Sequence, residues 1–180
     1  MSDLVLGSTT VLSDSSGTPT IQSGVAFPAG HILQMKNATR TTSYSATSDA
    51  TYENIPSFEV DITPFFQNSK ILVIANFRAG NNASSNHNGN VVRFRRSIDN
   101  GGYQEIGNAL QTNIKDGYGY AITHVLTHID TPNTALPIKY TVGHADIIAA
   151  QSSSFYFGQI YGEGTEPVSE AVIMAMEIAG

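Results

Sequence analysis

Two of the five histidines, His124 and His128, are four residues apart, the spacing that places two zinc ligands on one face of a helix. Residues 122–129, however, have the composition of a β-strand, in which residues four apart share a face but lie about 13 Å from each other. At that distance the two imidazoles cannot hold one ion. A His-x-His pair, with which a strand presents two imidazoles to a metal, is absent from the sequence. We therefore predict no metal site, and histidines that lie at the surface or form ordinary hydrogen bonds.

Other arrangements of catalytic residues are also missing. The sequence contains no Gly-x-Ser-x-Gly nucleophile motif, and its Gly-x-Gly pairs at 117–119 and 162–164 are not followed by a phosphate-binding lysine. Glu59 and Asp61 would share one face of a strand, an arrangement more typical of a solvated polar face than of the acid pair of a glycosidase. We predict that the protein is not an enzyme and uses no cofactor.

The densest basic cluster consists of Arg93, Arg95 and Arg96 within one predicted strand. Arg93 and Arg95 point to one face, whereas Arg96 points to the other face with Val92 and Phe94. These guanidinium groups could pair with carboxylates of a neighbouring subunit or bind an anionic glycan, or they could belong to an ordinary polar sheet face. An inward Arg96 would need a buried partner, for which a carboxylate of another subunit is one candidate.

Two loops offer further residues for a ligand. Tyr118 and Tyr120 follow Asp116 in a long loop before a predicted strand. Aromatic rings with short polar side chains are typical of sugar-binding surfaces, and also of loop ends that are anchored to a domain. The polar stretch 80–90 contains His87 and could be a tip that contacts a partner or simply a disordered tip. We retain both loops as candidate subunit or ligand contacts.

The composition limits the class of protein. At 180 residues the chain is long enough for one domain with a substantial core. Charged residues make up only 13% of it, and the formal net charge of −6 argues against nucleic acid as a partner. There are no cysteines, and no apolar stretch approaches the roughly 18 residues that span a bilayer. The first residues lack the basic and apolar regions of a signal peptide, so we expect neither export by a leader nor membrane insertion.

One stretch near the middle of the chain shows the pattern that dominates the sequence. Phe58, Val60 and Ile62 alternate with polar neighbours, as in a strand with one buried face. A corner follows at 63–70, and the apolar run 71–77 then predicts a central strand buried on both faces. Further strands are predicted at 31–37, 40–53, 91–98, 103–106, 121–129, 138–142, 155–161 and 171–178. About eight core strands with turn signals between them predict an all-β protein, a jelly-roll-like β-sandwich formed by residues 31–180.

Residues 1–30 are rich in Gly, Ser and Thr and too poor in apolar residues to form a core. Residues 4–12 and 20–27 predict two strands joined by a turn at 14–17, and an isolated hairpin is only marginally stable in water. We therefore predict an N-terminal β-hairpin or extended arm that packs on a partner or on copies of itself. Its docking residues are predicted to be Leu4, Val5, Leu6, Val11, Leu12, Ile21, Val25 and Phe27.

Four phrases of the sequence carry a resemblance to a known group of proteins. They are TPTIQSGVAFPAGHILQ at 18–34, the strand 58–62 with the Thr-Pro that follows it, SKILV at 69–73, and IMAMEI at 173–178. With these phrases the chain resembles small virion proteins of tailed bacteriophages, especially marine and cyanobacterial phages. The resemblance implies a homotrimeric all-β protein of the decoration, head-fibre or tail-fibre type, on the surface of a virion that is assembled in the host cytoplasm. The missing cysteines fit a reducing compartment.

The resemblance also suggests the partners. A segment of about 30 residues before a single domain, without a shaft, favours a capsid decoration or cement protein that docks through residues 1–30 onto the major capsid protein or another virion protein. The alternative is a short tail or head fibre, or a receptor-binding tip that recognises host-surface glycans. In either case, self-association to a homotrimer is expected.

Overall fold

The structure, a computed structural model, describes residues 4–6, 9–13, 20–21, 27–48, 50–82, 90–112, 122–146, 153–158 and 169–180. Within these ranges all regular elements are strands, and no helix is long and apolar enough to cross a membrane. The strands are β1 (Leu4–Leu6), β2 (Thr9–Ser13), β3 (Thr20–Ile21), β4 (Ile32–Arg40), β5 (Tyr44–Ser48), β6 (Glu53–Ile62), β7 (Lys70–Asn82), β8 (Asn90–Ile98), β9 (Gln104–Gln111), β10 (Ile122–Asp130), β11 (Ile138–Asp146), β12 (Ser153–Phe157) and β13 (Ala171–Ile178).

Eight strands from β4 onwards follow the strand order of a jelly roll. β4, β13, β7 and β10 are neighbours in the larger sheet, and β6, β11, β8 and β9 form the smaller sheet. Counted along the chain, the first of these eight strands pairs with the eighth, the second with the seventh, the third with the sixth and the fourth with the fifth, all antiparallel. This is the order of one long hairpin folded over on itself. The predicted jelly-roll-like β-sandwich is confirmed.

Two additional strands extend the larger sheet. β12 pairs with the last residues of β7, from Ala79 to Asn82, and β5 pairs with β12 at the edge of the sheet. The polar segment 40–53, for which the sequence predicts strand structure, contains the edge strand β5 and the first residue of β6. Thr, Ser and Tyr suit an edge that faces water on one side.

The core lies between the two sheets. Every second side chain of β6 and β7 is buried there, namely Phe58, Val60, Ile62, Ile71, Val73, Ala75 and Phe77. The intervening side chains of β7 differ, because Leu72 and Ile74 are only partly covered and Asn76 is exposed. The prediction that β7 is buried on both faces is therefore wrong for the single chain: the outer face of its sheet is not covered by the described residues.

Aromatic rings from both sheets meet in the middle of the core. The ring centroid of Phe58, in the smaller sheet, lies 5.0 Å from that of Phe157 and 5.9 Å from that of Phe77, both in the larger sheet. Phe77 and Phe157 are stacked with their centroids 5.5 Å apart. Such contacts add about 0.5–1.5 kcal/mol per pair to the gain from burial. The sandwich is held together by these rings and by the aliphatic side chains around them.

The N-terminal segment contains three strands rather than the two predicted. β1 pairs with β2, and β2 pairs with β3 through Leu12 and Ile21. The stretch 4–12 was expected to be one strand, but it contains the two antiparallel strands β1 and β2. The sequence between them is Gly-Ser, a dipeptide that is a hairpin signal. Val25 lies outside the described residues.

Candidate interaction surfaces

Arg96 has its partner within the same chain. It lies in β8 and its Nη1 is 2.8 Å from both carboxylate oxygens of Asp130, at the end of β10. The hydroxyl of Tyr140 in β11 donates a hydrogen bond of 2.7 Å to the same carboxylate. Burial, with the nearby Asp130 charge, raises the pKa of Tyr140. The carboxylate that an inward Arg96 requires therefore comes from the opposite sheet of the sandwich rather than from a neighbouring subunit.

Arg95 lies on the outer face of the smaller sheet and is also held by its own chain. Its Nη1 donates to the carbonyl oxygen of Tyr52 at 2.8 Å and to Oδ1 of Asn54 at 2.7 Å, and its Nε is 3.6 Å from Glu105 Oε1. The aliphatic part of Arg95 packs so closely on Gly143 that a Cβ there would lie 2.5 Å from Arg95 Cδ. The Arg95 side chain is thus held both by hydrogen bonds and by close packing on the sheet.

Arg93 is on the same outer face, and its Nε donates a hydrogen bond of 2.9 Å to the carbonyl oxygen of Gly107. The three arginines are therefore divided between two faces, as their spacing predicts. Each has at least one acceptor within the chain. A contact of these residues with a neighbouring subunit or a glycan stays a prediction.

The acidic residues of this outer face are paired as well. Lys139 Nζ lies 3.1 Å from Glu59 Oε1 and 4.0 Å from Asp61 Oδ1. The hydroxyl of Tyr103 donates to Glu59 Oε2 at 3.0 Å, and the Tyr103 ring lies 5.6 Å from the Arg95 guanidinium carbon. Burial and the Glu59 carboxylate raise the pKa of Tyr103, and the hydrogen bond to Glu59 raises the pKa of Lys139. On the outer face of the smaller sheet, these charged side chains are therefore paired within the chain.

His124 and His128 lie on a strand, as predicted. Both face the interior along β10, where His124 pairs with Phe77 and His128 with Val73. His124 is buried beside the carbonyl oxygen of Ala79, with its Nε2 at 3.2 Å, and burial lowers its pKa. Among the described residues no group of three or more His, Asp or Glu side chains could hold a metal ion. These histidines have structural roles in the sandwich.

A shallow cleft opens where β9 and β10 face each other across the edge of the sandwich. Its volume of about 190 Å³ is smaller than the 300 Å³ or more that is usual for small-molecule sites. It is lined by Phe94, Gly107, Asn108, Leu126, Thr127 and His128. Its lining contains no cluster of charged side chains.

Glu177 is a buried carboxylate whose role the sequence did not reveal. It lies on the inner side of β13 and accepts hydrogen bonds from Ser69 Oγ at 2.6 Å and from the backbone N–H groups of Phe65 and Phe66 at 2.8 and 3.3 Å. Gln34 Nε2 donates to its other oxygen at 2.7 Å. It thereby joins the corner between β6 and β7 to the C-terminal strand. Its position as the only charge in an apolar run was the available signal.

The root of the N-terminal arm meets the same corner. The ring of Phe27 lies 6.4 Å from that of Phe66. Gly30 N–H donates to the carbonyl oxygen of Ala179 at 2.9 Å, and Ala179 N–H donates to that of His31 at 2.8 Å. Of the predicted docking residues, Phe27 thus contacts the sandwich itself. The arm begins at a fixed point beside the end of β13.

The outer face of the larger sheet has a different character. The register of β4, β13, β7 and β10 aligns outward-pointing side chains in cross-strand rows. We call three of these rows the apolar face: Met35, Met176, Leu72 and Ile129; Asn37, Met174, Ile74 and Thr127; and Thr39, Val172, Asn76 and Val125. None of these side chains is charged, and the polar side chains among them are all Asn or Thr. Val125, Met35 and Ile129 are 60%, 58% and 56% exposed.

The apolar face is a candidate contact surface, because single chains rarely leave large contiguous apolar patches open to water. Lys70, the outward residue of β7 before these rows, is the nearest charge at that end of the strand. The sequence predicts these strands but not the exposed face, because the apolar run 71–77 predicts a strand covered on both sides. Of the remaining predicted contact residues, His87, Tyr118 and Tyr120 lie outside the described residues.

No family model matches the chain, and no curated protein matches it. Among solved structures it is similar to the VP2 subviral particle of infectious bursal disease virus, with a TM-score of 0.38, 10% identity, and coverage of 82% of this chain and 38% of that chain. For the Gt strain of the same virus the values are 0.39, 12%, 89% and 42%. The chain spans about two-fifths of the length of these proteins. At such TM-scores the likeness carries no argument, and the jelly roll is assigned from the strand order.

Proposed function

We propose that the protein is a non-enzymatic structural component of a bacteriophage virion surface. It acts as a homotrimer, and its role is that of a capsid decoration or cement protein that docks through its N-terminal arm, residues 1–30. Four phrases of its sequence resemble small virion proteins of tailed phages. The jelly roll is compatible with this role, since it is common among capsid and lectin domains.

The observation that carries the proposal is the contrast between polar and apolar surfaces. Arg93, Arg95, Arg96, Glu59 and Glu177 have partners within the chain. The apolar face has no cover among the described residues. The chain is therefore suited to association with other protein surfaces.

The arm supports the docking part of the proposal. Its strands β1–β3 pair with one another in a separate sheet, in which β3 has only two residues, so the arm is close to the two-stranded hairpin that is marginally stable alone. Its sequence contains the apolar residues Leu4, Leu6 and Leu12, which are among the predicted docking residues. The root at Phe27 and Gly30 is fixed to the sandwich, so a docked arm would hold the domain at a defined position.

Deletion of the arm tests the docking role. A variant that lacks residues 1–26 keeps Phe27 and should fold, remain a trimer and fail to attach to phage particles from which the protein has been removed. The measurement is co-sedimentation with such particles, with the full-length chain as the positive control. Attachment of the truncated variant as strong as that of the full-length chain would refute the docking arm. Binding of the truncated variant to host-surface glycans would favour the fibre alternative.

A further inference from the structure

The apolar face is four strands wide and uncharged across all three of its rows. A transient partner surface is usually no more apolar than the rest of a protein, whereas permanent contacts between identical subunits are more apolar. A second copy of the chain is also present whenever the chain is synthesised. These points favour the protein itself as the molecule that covers the face.

We propose that the apolar face lines the three-fold axis of the homotrimer, where it packs against the same face of two further copies. This rests on the homotrimer of the proposed function and specifies which surface forms it. The three larger sheets then enclose the axis as the sides of a triangular prism, and the smaller sheets with their charge networks lie on the outside.

The width of the face fits this arrangement. Neighbouring strands lie about 4.8 Å apart, so four strands make a face roughly 14 Å wide between the outer strand axes and about 19 Å wide with their margins. The centre of each side of an equilateral triangle lies about 0.29 side lengths from the axis, which places the three sheets about 4–5.5 Å from it. Sheets pack about 10 Å apart, so each lies about 5 Å from the middle of a filled core. Four strands therefore close a prism without leaving a void.

The distribution of side chains over the face agrees with the prism. Met174 and Ile74, paired on the central strands β13 and β7, would lie nearest the axis. The outer strands are β4 and β10, and three-fold symmetry brings β4 of one copy beside β10 of the next. Met35 on β4 and Ile129 on β10 are among the most exposed apolar side chains of the single chain, and they occupy these corners. Methionine adapts its shape to irregular gaps, which suits such a junction.

The native mass of variants tests the assignment. Met174→Asp would place three carboxylates around the axis, so the mass should fall from three times 19.2 kDa to 19.2 kDa. Met174→Leu, at the same site, and Leu136→Asp, at a residue 49% exposed in the β10–β11 connection, should both remain trimers. Light scattering after size exclusion gives the masses, and circular dichroism shows whether each variant is folded.

A second variant keeps the test valid if Met174→Asp fails to fold. Met35→Asp with Ile129→Asp changes two side chains that are already more than half exposed in the single chain, so this double variant should fold and be a monomer. If both Asp variants remain trimers, the apolar face is not the interface, and the homotrimer stands without it. If the unmodified protein is itself a monomer or a dimer, the homotrimer and this inference both fail. If deletion of residues 1–26 alone abolishes the trimer, the arm is the occupant and the inference fails.

Cysteine chemistry tests the three-fold position separately, because the chain has no native cysteine. With Met174→Cys and a short thiol crosslinker, two of the three thiols around the axis should be joined and the third left over. Up to two-thirds of the chains should then run as crosslinked dimers in a denaturing gel. Leu136→Cys should stay uncrosslinked. Equal crosslinking of both variants, or of neither, would overturn the placement of Met174 at the axis.

Discussion

The two outer faces of the sandwich are each formed by four jelly-roll strands, yet one carries paired charged side chains and the other carries uncharged, mostly apolar ones. On the smaller sheet, Arg95, Glu59 and Lys139 find partners on other strands of the same sheet. On the larger sheet, none of the described residues covers the outward side of Met174, Ile74 and their neighbours. The charged side chains of the first face are paired within one chain. The second face is not covered by the described residues, and we propose that the chain associates there.

Substitution of Glu177 should have the largest effect on stability, because this buried carboxylate joins β13, a strand of the apolar face, to the corner between β6 and β7. Glu177→Ala leaves the donors of Ser69, Phe65 and Phe66 without their acceptor, and we expect a loss of about 3 kcal/mol in the free energy of unfolding. Glu177→Gln keeps one acceptor oxygen and should lose less. Urea denaturation at one fixed protein concentration measures both variants. Equal stability of Glu177→Ala and the unmodified chain would contradict this role.

Truncation of Arg95 should have an intermediate effect and should separate the two faces. Arg95→Ala removes hydrogen bonds to Tyr52 and Asn54 and the packing on Gly143, for an expected loss of about 1–2 kcal/mol without any change in native mass. Arg95→Met keeps the packing and should recover part of the loss. Denaturation and light scattering on the same samples provide the measurement. A fall in mass would show that the charged face also takes part in association.

Alkaline pH should have the smallest effect. The pKa values of Tyr103 and Lys139 are raised in the folded chain, so the folded state retains protons that the unfolded state has released. Stability is then fully present below the ordinary values of 10.0 and 10.5 and falls as the pH rises through the raised values. Glu59→Gln weakens both interactions and should flatten this fall. Thermal melting between pH 9 and pH 11 would test it, roughly spanning the ordinary pKa values. An unchanged slope would exclude Glu59 as the common partner.

The sequence predicts the sandwich because alternation and turn residues are local signals. Phe58, Val60 and Ile62 show the period of two, and the turn after β8 holds Asp99 and Asn100 at φ values of 51° and 57°, a conformation that Asp and Asn adopt more readily than most residues. Contacts that depend on pairing between distant strands are not local. The partner of Arg96 is 34 residues away and the donors to Glu177 lie 108 to 143 residues away. No periodicity in the sequence identifies such partners.

The apolar run of β7 illustrates what a pattern leaves open. Its composition predicts burial on both faces but does not state whether the second cover comes from the same chain. In the single chain Leu72 and Ile74 are only partly covered. In the proposed trimer both would be buried against two other copies, and the prediction would hold for the assembly. The residues of β7 indicate that both of its faces are covered, but they do not identify the molecule that covers the outer face.

The most direct test compares one substitution on each face by native mass. Met174→Asp on the apolar face and Arg95→Ala on the charged face would be measured side by side by light scattering, with circular dichroism to confirm that both are folded. We expect 19.2 kDa for Met174→Asp and three times that mass for Arg95→Ala. Equal masses for the two folded variants would contradict the assignment of association to the apolar face.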